Sequence, residues 1–207
     1  MKAERCNDLP QSTRPHGRRI TNTLTSILDY SRYADTPFYA YTTEQMVSIV
    51  RTWAEHTWPI TLPEAFNLRD QCGWIPDPDD DTLFSTQVSN GELDGAIMKD
   101  IKNGNLAGSI NSRMTTRAPI ELKSSQISTI TQSIYTNYRS ALSALYGPPE
   151  DDTYSTGPHS TWTLHSNASI TLYSVATFIK IKIRSPVKTE SEALWKYYEN
   201  EYGPDIP

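Results

Sequence analysis

The stretch from Ser125 to Gly147 constrains the fold more than any other part of this chain. Ile127, Ile130, Ile134, Tyr138, Ala141, Leu142 and Leu145 recur there at helical spacing. Ser124 or Ser125 suits a cap at its start, and Gly147 followed by Pro148 and Pro149 is a stop signal. A helix of about twenty residues spans roughly 30 Å, the width of a small domain. Its apolar stripe requires burial, and strand-like runs flank it on both sides in sequence, so a sheet is its expected partner.

Upstream of this helix, Thr42 with Gln45 and Thr61 with Glu64 have capping-box spacing. The first predicts a helix carrying Met46, Ile49, Val50 and Trp53 to about His56, stopped at Trp58-Pro59. The second predicts a short helix through Ala65, Phe66 and Arg69, closed by Cys72-Gly73, with Trp74 packing back onto the core. Asn90-Gly91 and Asn103-Gly104 suit type I′ hairpin turns and predict a meander of strands over 82–89, 93–102 and 105–115.

Downstream, 148–158 reads as a polar loop. Strands are expected over 161–165, 169–174 and 177–185, the last with Ile179, Ile181 and Ile183 on one face and Lys180, Lys182 and Arg184 on the other. Thr189 with Glu192 is a third capping box, opening a helix through Ala193, Leu194, Tyr197 and Tyr198. The order indicates an α+β fold: an antiparallel sheet of two three-stranded runs packed against a long central helix, with flanking N- and C-terminal helices. Residues 1–40 read as an N-terminal extension holding at most a short helix from about Arg18 to Tyr33, and 41–207 as a single domain.

Composition narrows the function classes. A chain of 207 residues with 37 % hydrophobic residues builds one modest core with long polar loops. The net charge of −5 argues against nucleic acid as a partner. No apolar run reaches the roughly 20 residues that cross a bilayer, and no secretory leader is evident, so a cytoplasmic location is expected. Cys6 and Cys72 read as free thiols in a reducing compartment.

The candidate chemistry is sparse. Asp77, Asp79 and Asp81 match the opening ligand positions of a calcium loop, but Thr82 stands where glycine is needed and Val88 where the bidentate glutamate belongs. With Asp80 they form instead a solvated anionic turn able to steer a basic partner. His16, His56, His159 and His165 lack zinc spacing. The serines around Ser124, Ser125 and Ser128 sit in no nucleophile elbow. Cys72 ends a helix, where the dipole does not activate a thiol. Neither a catalytic residue nor a cofactor or metal site is expected. The row Lys180, Lys182, Arg184 is a solvated sheet face or a contact face for an acidic ligand or protein, and Tyr197 and Tyr198 are candidate interface anchors.

From Tyr41 onward the chain resembles an uncharacterised bacterial domain family, found mainly in high-GC Gram-positive bacteria and associated with polymorphic-toxin immunity proteins. The resemblance rests on the helix ending Trp53…Trp58, on Cys72-Gly73-Trp74, and on Ala141-Leu142-x-x-Leu145-Tyr146-Gly147-Pro148-Pro149. Trp162 and the strand pair 170–172 and 179–183 complete it. It implies a non-catalytic protein that neutralises a cognate toxin by binding it, with Asp77, Asp79, Asp80 and Asp81 meeting a basic cleft on that toxin. A secretion-type chaperone or adaptor for a secreted effector is the alternative. A small-molecule enzyme would need a concave pocket with convergent polar groups near His165 or the Lys180 row.

Overall fold

Two strands far apart in sequence, 107–113 and 178–184, pair antiparallel at the centre of the sheet. The computed structural model describes residues 27–34, 36–119, 125–154 and 157–203. Its elements are β1 (Leu28–Asp29), α1 (Ser31–Ala34), β2 (Tyr39–Ala40), α2 (Thr43–Ala54), α3 (Leu62–Gln71), β3 (Ile75–Pro76), β4 (Leu83–Ser85), β5 (Gly95–Lys99), β6 (Ala107–Arg113), α4 (Ser125–Tyr146), β7 (Glu150–Tyr154), β8 (Gly157–Thr163), β9 (Ser169–Val175), β10 (Phe178–Arg184) and α5 (Pro186–Tyr202). β1 and β2 pair with each other; the other eight strands form one antiparallel sheet in the order β3-β4-β5-β6-β10-β9-β8-β7.

The two three-stranded runs expected from the sequence are therefore parts of a single sheet. After β6 the chain crosses through α4 to the far edge, then returns strand by strand until β10 pairs with β6. The register sets Ile183 opposite Ile110 and Ile170, and Ile181 opposite Ser112 and Leu172, so one face is apolar across the join. Helices α2 and α4 cover that face. Helix α4 buries Ile127, Ile134, Tyr138 and Leu142 as its spacing predicts, and Tyr135 as well; Leu145 is exposed. Phe38 and Ala40 also belong to the core.

At the β4–β5 end, Trp53 stacks on Trp74 with ring centroids 6.1 Å apart, and Trp74 on Phe84 at 4.7 Å. Burying a side chain such as Phe84 stabilises by about 1.5–3 kcal/mol. Gly95 makes room for the column: a Cβ there would lie 1.8 Å from Phe84 Cε2. A polar clasp joins it to the rest of the core. Trp74 Nε1 donates to the Tyr41 hydroxyl (3.1 Å), and the Tyr138 hydroxyl on α4 donates to the Tyr41 carbonyl (2.5 Å).

Both upstream capping boxes form, at Thr42–Gln45 and Thr61–Glu64. Helix α2 stops at Ala54, before His56. Gly147, at φ 84°, closes α4 by donating its N–H to the Ser143 carbonyl. Of the two candidate caps for α4, Ser124 lies outside the described residues.

Four expectations are corrected. The polar loop after α4 contains β7, because the Asp151 carboxylate is neutralised by Arg139 of α4 and accepts from Ser160 Oγ, letting the acidic segment pair with β8. Asn103-Gly104 does not form a type I′ turn. Asp100 Oδ1 accepts from the N–H groups of Lys102 and Asn103 and shapes a longer connection, in which Gly104 has no positive φ. The capping box at Thr189 does not form either: Ser185 caps α5 and Pro186 occupies its first turn. Finally, within the stretch from Arg18 to Tyr33, the described residues contain β1 and the start of α1 instead of one helix, and 18–26 lie outside them.

Candidate functional site

The second face of the sheet is polar, and α5 lies against part of it. Strand alternation puts Lys180, Lys182 and Arg184 on this face, with Arg113 opposite Lys180, Asn111 and Thr171 opposite Lys182, and Tyr173 opposite both Lys180 and His159. Between this face and α5 is a cleft of about 710 Å³. Its floor includes His159, Thr161, Thr171, Tyr173 and Arg184; its walls include Glu150 and Asp152 from β7 and Glu192, Trp195, Lys196 and Glu199 from α5.

Arg184 is fixed here by two hydrogen bonds. It is buried, its Nη1 donates to Thr171 Oγ1 (2.7 Å), and its Nη2 donates to the Tyr173 hydroxyl (3.1 Å). Its Nε lies 2.5 Å from Glu192 Oε2, while Lys182 Nζ lies 3.4 Å from Glu192 Oε1. Burial acts to raise the Glu192 pKa, but the combined pull of Arg184 and Lys182 outweighs it and holds the carboxyl below its ordinary value. Lys180 Nζ sits 4.7 Å over the Tyr173 ring, and His159 stacks on the same ring at 5.7 Å. Burial lowers the His159 pKa against the opposing pull of Asp152, favouring neutral imidazole.

The predicted contact residues divide into separate regions. Lys180, Lys182 and Arg184 lie mid-sheet, and Tyr197 and Tyr198 are exposed on α5, packed edge to face at 5.7 Å. The aspartates lie between β3 and β4, at the edge of the sheet away from the cleft. There Asp77 Oδ1 accepts from the Asp79 N–H and Asp80 Oδ1 from the Thr82 N–H and hydroxyl, while Arg69 Nη1 donates to the Asp81 carbonyl. Two of the four carboxylates thus shape their own turn. His165 is exposed in the β8–β9 connection, whereas His159 is buried. Cys72 is a buried free thiol, its pKa pushed up to about 12 by burial. Cys6 and His16 lie outside the described residues. No cluster of three or more metal-ligating side chains occurs among the described residues, and no described helix is long and apolar enough to cross a membrane.

Sequence reasoning missed Glu192 as a site residue, because its spacing from Thr189 suggested a cap. It also missed Asp94. That carboxylate accepts from the Thr86 N–H (2.8 Å) and hydroxyl (2.7 Å) and lies 4.0 Å from Arg113 Nε. Burial pushes its pKa up to about 6, against those hydrogen bonds and Arg113. Nothing in helical or strand spacing marks either role, since Glu192 depends on α5 folding back over β10 and Asp94 on the β4–β5 connection closing on Thr86.

Fold and cleft together define an α+β protein with an eight-stranded antiparallel sheet, helices on its apolar face, and a polar cleft under a C-terminal helix. Residues 44–185 match the model of DUF6301, a family of unknown function, and the chain belongs to that family. The matched segment holds the Asp77–Asp81 turn and the Lys180 row, and it ends where α5 begins. No curated protein and no solved structure matches the chain.

Proposed function

We propose that this chain is a non-catalytic protein-binding module, an immunity protein that neutralises a cognate bacterial toxin by direct contact. The observation carrying this reading is α5, where Leu194, Tyr197 and Tyr198 are 52 %, 55 % and 41 % exposed and Trp195, 60 % exposed, stands at the rim of the cleft. Large apolar and aromatic side chains clustered in water are the usual anchors of protein interfaces. The aspartate turn at the far edge adds a steering charge for a basic partner. The bacterial setting and the toxin as partner come from the family resemblance noted in the sequence.

The test is binding to, and inhibition of, any toxin that a neighbouring gene is found to encode. Trp195→Ala with Tyr197→Ala and Tyr198→Ala should weaken the complex by at least about a hundredfold, as loss of hot-spot anchors does. Alanine at Asp77, Asp79, Asp80 and Asp81 should slow association and flatten its salt dependence. A toxin that stays fully active beside a stoichiometric amount of this chain would reject the reading.

A second reading, a small-molecule-binding enzyme, is favoured by the cleft, where His159, Arg184 and Glu192 converge. Saturable turnover by the purified chain, abolished by His159→Gln, would put it first.

A further inference from the structure

Toward β3 the second face of the sheet turns apolar. Phe84 and Ile97 point into the core, so strand alternation turns their neighbours the other way: Leu83 and Ala96, paired across β4 and β5, with Ile75 on β3 and Met98 on β5. The helix packed on this face, α5, meets β6 and β10. Beyond it Ile75 and Met98 are 67 % and 51 % exposed, and Leu83 and Ala96 are half-buried between them. Three strands make a strip about 10 Å wide, the width of one α-helix.

The margin of the strip is anionic. The Ile97 N–H donates to the Thr82 carbonyl, which brings the Asp77–Asp81 turn beside Met98. Asp79, Asp80 and Asp81 are exposed there. With Asp77 and Asp100 they outnumber Lys99 and Lys102, and the Arg69 guanidinium is buried and paired with Asp70. At the opposite end Arg113 is paired with Glu92 and lies 4.0 Å from Asp94, so no free cation borders the strip there among the described residues.

We infer that Ile75, Leu83, Ala96 and Met98 form a docking surface for one amphipathic helix of a partner protein, with Lys or Arg on the flank that meets the aspartate turn. That the occupant is a protein rests on the protein-binding reading above. The apolar centre supplies affinity by burial, and the aspartates select the sign of the flank and speed encounter. The docked helix lies in the same layer as α5.

The test is calorimetric titration of the full chain with an end-blocked peptide of two Leu-Lys-Lys-Leu-Leu-Lys-Leu repeats. One control peptide has every Lys replaced by Glu, the other every Leu replaced by Ser. Wild type should bind the basic amphipathic peptide saturably and neither control. Ile75→Ser with Met98→Ser should weaken binding about tenfold, circular dichroism showing the fold retained. Asp79→Asn with Asp81→Asn should weaken it and reduce its salt dependence; Asp77 and Asp80, which shape the turn, are left intact. Leu145→Ser, at an exposed apolar residue of α4, should change nothing. Absence of saturable binding to wild type, equal binding of the Glu peptide, or Leu145→Ser weakening binding as much as the Ile75 and Met98 pair overturns the inference. So does a dimer in sedimentation equilibrium that Met98→Ser dissolves, since the occupant would then be a second copy. A toxin bound equally by wild type and by the Ile75 and Met98 pair would remove this surface and leave the protein-binding reading. Peptide binding at the strip without inhibition of a toxin would remove the toxin and leave the surface.

Discussion

Trp53, Trp74 and Phe84 on one face of the sheet, and Lys182, Arg184 and Glu192 on the other, make up two contact regions that respond differently to change. The aromatic column is dry and shape-matched to the point that Gly95 cannot gain a methyl group without moving Phe84. Its stabilisation scales with area and packing, so losses there unfold the protein. The polar face is wet at its margin, with the Glu192 side chain 36 % exposed. Ion pairs at such a margin add roughly 0–1 kcal/mol to stability, yet they set which charges a ligand encounters. Helix α4 and the aromatic column hold the sheet, and α5 decides what its other face shows to solvent.

The largest expected effect is on the aromatic column. Phe84→Ala should lower unfolding free energy by about 3–5 kcal/mol in urea titration. Gly95→Ala alone should cost about 1–3 kcal/mol through overpacking. Combined with Phe84→Leu it should cost less than the sum, because the ring that clashes is gone. Strict additivity would mean that Gly95 is not there to accommodate the ring.

Asp94 sharpens the comparison, being a charge beside Phe84. Its pKa is raised from 3.8 to about 6 in the folded protein, so the folded state binds the extra proton between those values. Its contribution is therefore fully present below about pH 3.8 and lost as pH rises through about 6, a change on the order of 2–3 kcal/mol. Asp94→Asn should flatten the stability profile across that window in denaturant titrations at several pH values. An unchanged profile would show that another group carries it.

A smaller effect is expected at the clasp between α4 and the column. Tyr138→Phe leaves the buried Tyr41 carbonyl without the hydroxyl that donates to it and should cost about 1–2 kcal/mol in thermal unfolding. The smallest is on the polar face: Glu192→Gln should change stability by less than about 1 kcal/mol. If Glu192→Gln destabilised the fold as much as Phe84→Ala, the distinction between the two faces would fail.

The periodic elements were legible in the amino-acid order alone. The α4 stripe, both upstream capping boxes, Gly147 as a stop and the alternation of β10 all act within a few residues, over one turn or one pleat, where local physics decides. The two-sided character of β10 was also legible, and with it the cationic row. What stayed hidden depends on which strands become neighbours. The β6–β10 pairing joins the two expected runs, β3 and β7 extend them to eight strands, and Arg139 lets an acidic loop become β7. Ser185 and Pro186 took over the cap that Thr189 seemed to offer, leaving Glu192 to face Lys182 and Arg184. Local spacing records what a residue can do within its own segment. The partner that neutralises a charge, or the ring that excludes a methyl group, arrives from elsewhere in the chain, so only the tertiary structure decided those roles.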